Sequence, residues 1–285
     1  MNFAPRYLGR GSWLARRDPR VLILVLFLFV FTVVQMWDAR VVLFLLLVAF
    51  VYYRSASIPW AGVRRQWAFV LFFVTMLVLV NTLITGGVVP DIPPGQYDVF
   101  FTMPLLGTPI SAQSLAYAGT QLLRFLAMTM VGFPVAYAMA PDEFGIAFRR
   151  LGVPDKFAFA IDLTFRFLPS LSNDIQTTAD AQRVRGHDWQ ESKGGPIARL
   201  RNTMPVVVPS VINALVGAED TIDAMDLRGF GTGKRTWLKH LVYDRADKLI
   251  LSYFLAQILV LTVLGFVTDI SEIWVPPFLI DLANR

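Results

Sequence analysis

Two short runs carry the side chains of this 285-residue sequence best suited to gripping an anionic partner: Ala181-Gln182-Arg183-Val184-Arg185-Gly186 and Ala224-Met225-Asp226-Leu227-Arg228-Gly229. A guanidinium is a planar, permanently charged fork of donors that holds a carboxylate or phosphate through two parallel hydrogen bonds. A glycine directly after it supplies the left-handed residue at which helices stop. Arg185-Gly186 and Arg228-Gly229 therefore each read as a helix end presenting a fixed positive charge. Arginine before glycine is also ordinary capping, and either run alone says no more than that. Capping alone does not demand the duplication.

Other chemistries find little support. With no cysteine and only His187 and His240, thiolate sites, disulfides and imidazole clusters are excluded. The run Gly229-Phe230-Gly231-Thr232-Gly233-Lys234-Arg235-Thr236 resembles a phosphate loop but fails it. Arg228 stands at the required first glycine, and Arg235 follows Lys234 where Ser or Thr is needed. No zincin motif, nucleophile elbow or intramembrane Asp pair occurs. The sequence gives no reason to expect an enzyme.

The elements that must position the two arginines repeat one plan. One stretch runs from Pro169-Ser170-Leu171 to Arg185-Gly186, the other from Pro209-Ser210-Val211 to Arg228-Gly229. Proline suits a first helical turn and glycine a last one, so each stretch is predicted as one helix of about 17 to 20 residues opening at Pro169 or Pro209. Leu171, Ile175, Thr178 and Gln182 share one face of the first; Val211, Ile212, Leu215, Val216 and Ile222 line the second. Asp174 and Asp180, and Glu219, Asp220, Asp223 and Asp226, gather late in the two helices. Carboxylates there oppose the macrodipole that the terminal arginines favour, which suggests charged tips made to meet a partner. Upstream, Phe157, Phe159, Ile161, Leu163, Phe165, Phe167 and Leu168 follow one another so densely that a helix there is expected to be apolar nearly all round, which suits burial against spans or the bilayer interface.

Composition places these helices in a membrane protein. Hydrophobic residues make up 55% of the chain and charged ones only 16%, against about 25% charged in soluble domains. Val21–Trp37, Gln66–Pro90 and Leu249–Thr268 are charge-free and long enough to cross a bilayer. Ser111–Ala140 adds a fourth span with one interior charge, Arg124. Val41–Tyr53 is short, with Arg54 placed to snorkel, and counts as the fifth. Arg124 either marks a substrate or proton path or pairs within the bundle, and the structural role is the preferred reading. Arg166 invites the same treatment, as a tie between the insertion and the spans.

Five spans with the N-terminus inside put Lys and Arg overwhelmingly on one face. Residues 1–20 hold five, 54–65 hold three and 141–248 hold fifteen, against two on the other side. The insertion 141–248 balances its fifteen basic residues with fourteen acidic ones, so the net charge of +5 does not mark a nucleic-acid surface. The expected fold is an all-α polytopic membrane protein. It divides into 1–140 (N-terminal segment and four spans), 141–248 (cytoplasmic helices) and 249–285 (last span and external tail). The proline-rich loop from Val88 to Ile110 is expected to be irregular or a short hairpin. Trp274, Pro276, Pro277 and Phe278 look like an interfacial anchor.

In these residues the chain resembles the T component of energy-coupling factor transporters, similar to EcfT and CbiQ proteins. The resemblance runs from Arg17-Asp18-Pro19-Arg20 through Leu123-Arg124 and Pro141-Asp142-Glu143. It continues through Phe148-Arg149-Arg150-Leu151-Gly152-Val153-Pro154 and Phe165-Arg166-Phe167-Leu168-Pro169 to the two Arg-Gly runs. Val184 and Leu227 depart from the small alanine usual in the paired motifs. The resemblance implies a multi-pass subunit of the bacterial inner membrane, with a cytoplasmic N-terminus. Its Arg183, Arg185, Gly186, Arg228 and Gly229 would engage two ATP-binding-cassette ATPases. Arg124, Arg166, Pro169 and Pro209 would serve structurally. ATP and magnesium would sit on those partners rather than on this chain, and a separate membrane-embedded S component would bind the vitamin or metal ion. The alternatives are a self-sufficient secondary transporter and a membrane anchor for ATPases with no transport role.

Overall fold

A computed structural model describes residues 11–85, 99–102, 108–187, 195–233, 241–268 and 273–283. The chain forms two compact units, one of Tyr7–Ala140 with Val242–Arg285 and one of Met1–Arg6 with Pro141–Leu241.

The first unit is a helix bundle: α1 (Pro19–Gln35), α2 (Ala39–Ser55), α3 (Trp60–Thr85), α4 (Ala112–Ala138), α8 (Arg245–Val267) and the short α9 (Pro277–Ala283). Side-chain caps fix where helices begin. Asp18 accepts from the Arg20 amide and Asp38 from the Arg40 amide, while Ser111/Ser114 and Asp244/Asp247 form reciprocal capping boxes. Val42, Leu45, Ala49 and Tyr52 make the buried stripe of α2, and Thr120, Arg124, Ala127, Val131 and Pro134 that of α4. Their spacing of three and four is that of one helix face. Many outward side chains are large and apolar, among them Phe69, Phe72, Leu249 and Phe266. A hydrocarbon solvent suits such a surface and water does not. The protein is an all-α polytopic membrane protein, with one small hairpin among the described residues.

Trp60–Ile84, Ala112–Ala138, Leu200–Leu227 and Arg245–Val267 are long and apolar enough to cross a membrane, and Pro19–Gln35 is a shorter apolar helix. The short second segment is a helix of 17 residues, because Asp38 starts it and Arg54 and Ser55 lie inside its last turn. The proline-rich loop lies mostly outside the described residues, but its second half carries an antiparallel hairpin of β1 (Val99–Thr102) and β2 (Pro109–Ser111). The Thr108 hydroxyl donates to the Leu83 carbonyl at 2.9 Å, which fastens the hairpin to the last turns of α3. In the tail, Trp274 lies 3.8 Å from the Arg40 guanidinium.

A polar clasp joins the starts of α1 and α8. Arg17 reaches the Asp244 carboxylate at 2.9 Å, Arg20 holds Asp18 through its Nε and Nη2, and the Arg20 guanidinium lies 3.8 Å over the Tyr243 ring. Arg20 and Asp18 are both buried, so the ion pair is also a set of charge-assisted hydrogen bonds.

The second unit holds α5 (Phe144–Arg150), α6 (Asp155–Val184) and α7 (Pro196–Leu227). Gly145 lets α5 lie against α6: a Cβ there would come within 2.7 Å of the Ala158 carbonyl oxygen and 2.8 Å of the Asp162 Cβ. The ion pair of Arg149 with Asp155 closes the turn between the two helices.

Candidate functional site

The helices that carry the two arginines are longer than their prolines imply. Pro169 and Pro209 were expected to open helices of about 17 to 20 residues, but α6 has 30 residues with Pro169 inside and α7 has 32 with Pro205 and Pro209 inside. The Phe-rich stretch and the first Arg-Gly stretch are thus one continuous helix. An interior proline deprives the carbonyl four residues earlier of its donor. For Pro209 that carbonyl belongs to Pro205, and the Gln182 side-chain amide of α6 donates to it at 3.1 Å. The gap left by one helix is filled by the other, so the proline becomes part of the packing.

Both helices end in the same way. Arg185 is the C-cap of α6 and Gly186 follows at φ +84; Arg228 is the C-cap of α7 and Gly229 follows at φ +66. Gly186 N donates to Arg183 O at 2.9 Å and His187 N to Gln182 O at 2.9 Å. Gly229 N donates to Asp226 O at 2.9 Å and Phe230 N to Met225 O at 3.0 Å. Each pair is the double hydrogen bond of a Schellman cap. Arg185 and Arg228 are exposed. Arg183 lies two residues before the first tip and holds Asp180 at 3.0 Å.

α6 and α7 pack antiparallel along their lengths. The His187 ring Nε2 donates to the Asn202 carbonyl at 2.7 Å; Leu171 and Ile175 share a groove with Val207, Val211 and Ala214; and the Phe159 and Phe230 rings lie 4.8 Å apart. The two Arg-Gly ends consequently stand at opposite ends of the pair, about 40 Å apart along α7 at 1.5 Å per residue. The buried residues of α7 here are Val206 and Ser210; of the apolar face expected from sequence, Val211 and Leu215 edge the groove shared with α6, whereas Ile212, Val216 and Ile222 are exposed. Gln182, His187 and Asn202 form a brace that sequence reasoning did not assign. Its one visible signal was Pro209 four residues after Pro205, which implies an orphan carbonyl.

The other expected positions separate by environment. Arg124 is 6% exposed, donates through Nη2 to the Met36 carbonyl at the end of α1, and lies 4.1 Å from the Trp37 ring, which stacks on Tyr117. It caps one helix of the bundle from another. Arg166 is exposed on α6 and lines a cleft shared with Arg228. After Gly229 the chain turns on itself, the Thr232 amide and hydroxyl both donating to the Gly229 carbonyl. Residues 234–240, the rest of the loop-like run, lie outside the described residues, as does His240.

Residues 10–237 match the family model of CbiQ, described as a cobalt transport protein. The chain belongs to the CbiQ family. Among curated proteins it is similar to three described as energy-coupling factor transporter transmembrane protein EcfT. That of Leuconostoc gelidum subsp. gasicomitatum is 26% identical over 91% of this chain and 95% of its own. That of Thermosediminibacter oceani is 29% identical over 85% and 89%, and that of Lactobacillus helveticus 27% over 88% and 89%. In this CbiQ-family chain the departures Val184 and Leu227 are each 90% exposed. They point away from the α6–α7 seam, so replacing a smaller residue there leaves the packing of the pair unaltered.

Proposed function

We propose that this chain is the transmembrane coupling subunit of an energy-coupling factor importer, passing ATP-driven motion of two ATPases to a separate substrate-binding membrane subunit. The observation that carries this reading is the pair of identical arginine-bearing caps at opposite ends of one antiparallel helix pair. Two tips about 40 Å apart on a common rod suit two ATPase subunits that close on each other when they bind ATP. Each guanidinium would make charge-assisted hydrogen bonds to its ATPase, with Gly186 and Gly229 ending the helices so that the charge is presented. The outward apolar face of α7 would serve the membrane side of the same relay.

α7 is apolar enough to cross a bilayer, but α6 runs beside it and carries Asp155, Lys156, Asp162, Arg166, Asp174, Asp180 and Arg183. Charges spread along a helix exclude it from a hydrocarbon core. The pair therefore lies at the cytoplasmic face, with the N-terminus on the same side, in the bacterial inner membrane. ATP and magnesium bind to the partners, and the cargo is a vitamin or transition-metal ion chosen by the substrate-binding subunit. The nomenclature of the similar proteins supports the same assignment.

The test is Arg185→Ala combined with Arg228→Ala in the co-expressed complex. Membrane insertion is expected to persist, while ATPase copurification and uptake are lost. An intact complex with normal uptake would overturn the reading, as would uptake by the purified chain alone in vesicles without ATPases.

A further inference from the structure

The two Arg-Gly ends share a backbone conformation but not their surroundings. At the Arg185 end, Gln182 and His187 fasten α6 to the Pro205 and Asn202 carbonyls of α7, and Arg183 holds Asp180. At the Arg228 end a cleft of about 400 Å³ opens between the helices, lined by Phe159, Phe167 and Phe230 together with Asp162, Arg166 and Arg228.

Arg166 and Arg228 line this one cleft from the two helices. Helix side chains lean toward the N-terminus of their own helix, and in an antiparallel pair the N-terminal end of α6 lies beside the C-terminal end of α7. Arg166 thus leans toward the Arg228 tip from about two turns away. Among the described residues neither guanidinium has a carboxylate within ion-pair distance. Asp162 lines the same cleft but sits beside Gly145 of α5, outside ion-pair range of both. Two uncompensated guanidiniums over an aromatic surface form a site for a carboxylate next to an apolar side chain.

We propose that Arg166 is a second docking arginine: with Arg228 it forms a two-guanidinium cleft that takes a carboxylate of the ATPase bound at that end, with an apolar neighbour of that carboxylate against Phe159 and Phe230. This rests on the reading of the Arg228 tip as an ATPase contact. It makes the two ends chemically unequal: at one, the arginine beside the tip, Arg183, is held by Asp180, and the other is a pincer.

The experiment uses the co-expressed complex in nanodiscs containing anionic phospholipid, with a photo-crosslinker at one of two positions. Leu227→p-benzoylphenylalanine reports on the tip itself, and Phe167→p-benzoylphenylalanine on the cleft. Both are expected to capture the same ATPase subunit. Arg166→Glu is expected to weaken retention of that subunit about tenfold or more in a salt titration, Arg166→Lys to restore part of the loss, and Arg201→Ala, at an exposed arginine near the other end of α7, to leave that end unaffected. If Leu227 captures the ATPase while the cleft position captures only phospholipid or nothing, the pincer is refuted and the docking tip stands. Normal retention in Arg166→Glu also refutes the pincer. If neither position captures an ATPase, the underlying assignment of the tip fails.

Discussion

Gly145→Ala sets the packing of the second unit against intrinsic helix propensity, and the structure says which wins. A methyl group at position 145 would lie 2.7 Å from the Ala158 carbonyl oxygen and 2.8 Å from the Asp162 Cβ, both fixed parts of α6 rather than flexible side-chain ends. Relief requires α5 and α6 to separate by about 0.7 Å at a contact packed to crystal-like density. Overpacking of this kind costs about 1 to 3 kcal/mol, and alanine's advantage over glycine within a helix returns about 1 kcal/mol. The expected net loss is up to about 2 kcal/mol. Gly217→Ala in α7 is the control: a Cβ there meets nothing within 4 Å, so only the propensity gain of about 0.5 to 1 kcal/mol remains. Thermal midpoints of the two variants in nanodiscs, at one scan rate because unfolding of such proteins is kinetically governed, are expected to move in opposite directions. Hydrogen exchange is expected to rise across residues 144–162 in the first variant alone. Equal midpoints, with exchange at those residues unchanged, would refute the close approach of α5 to α6.

Three further outcomes follow from particular contacts. Gln182→Leu removes the side-chain donor to the Pro205 carbonyl and is expected to cost about 1 to 3 kcal/mol, read as faster amide exchange in α7 around Pro205 and Pro209; unchanged exchange there would dismiss the brace. Asp244 has its carboxyl held below the usual range by the Arg245 backbone amide and then by Arg17; a lowered folded-state value means its stabilisation is present at neutral pH and lost as pH falls through the ordinary carboxylate range and below, so Asp244→Asn is expected to flatten the acid limb of a midpoint-against-pH curve. Arg124→Met removes the guanidinium from the Met36 carbonyl and the Trp37 ring and is expected to lower the thermal midpoint without altering the order in which cargo molecules compete for uptake; a changed order would instead make Arg124 part of a transport path.

What could be read from the sequence depended on how local its cause was. Gly186 and Gly229 announced two helix ends, since a left-handed residue after a run of helix formers has few other uses. The structure gives both glycines positive φ angles. Pro169 and Pro209 were misleading because the same local rule makes proline a sign of a helix start, while its tolerance inside α7 depends on Gln182 in another helix. The clasp of Arg17 with Asp244 joins residues 227 apart in sequence, and no spacing rule reaches that far. Arg124 stood out as an intramembrane charge, but its partner is a backbone carbonyl, and a backbone group carries no signature in residue identity.

The antiparallel pairing of α6 and α7 makes the separation of their capped ends a gauge set by residue count. Removing a residue from one rod alone would swing its tip by about 100° and bring it about 1.5 Å nearer. It would also slip Gln182 off the Pro205 carbonyl and His187 off that of Asn202. Shortening is tolerable only if both rods lose matching whole turns, so insertions and deletions in this region should occur in compensated pairs or be confined to the connection between the rods.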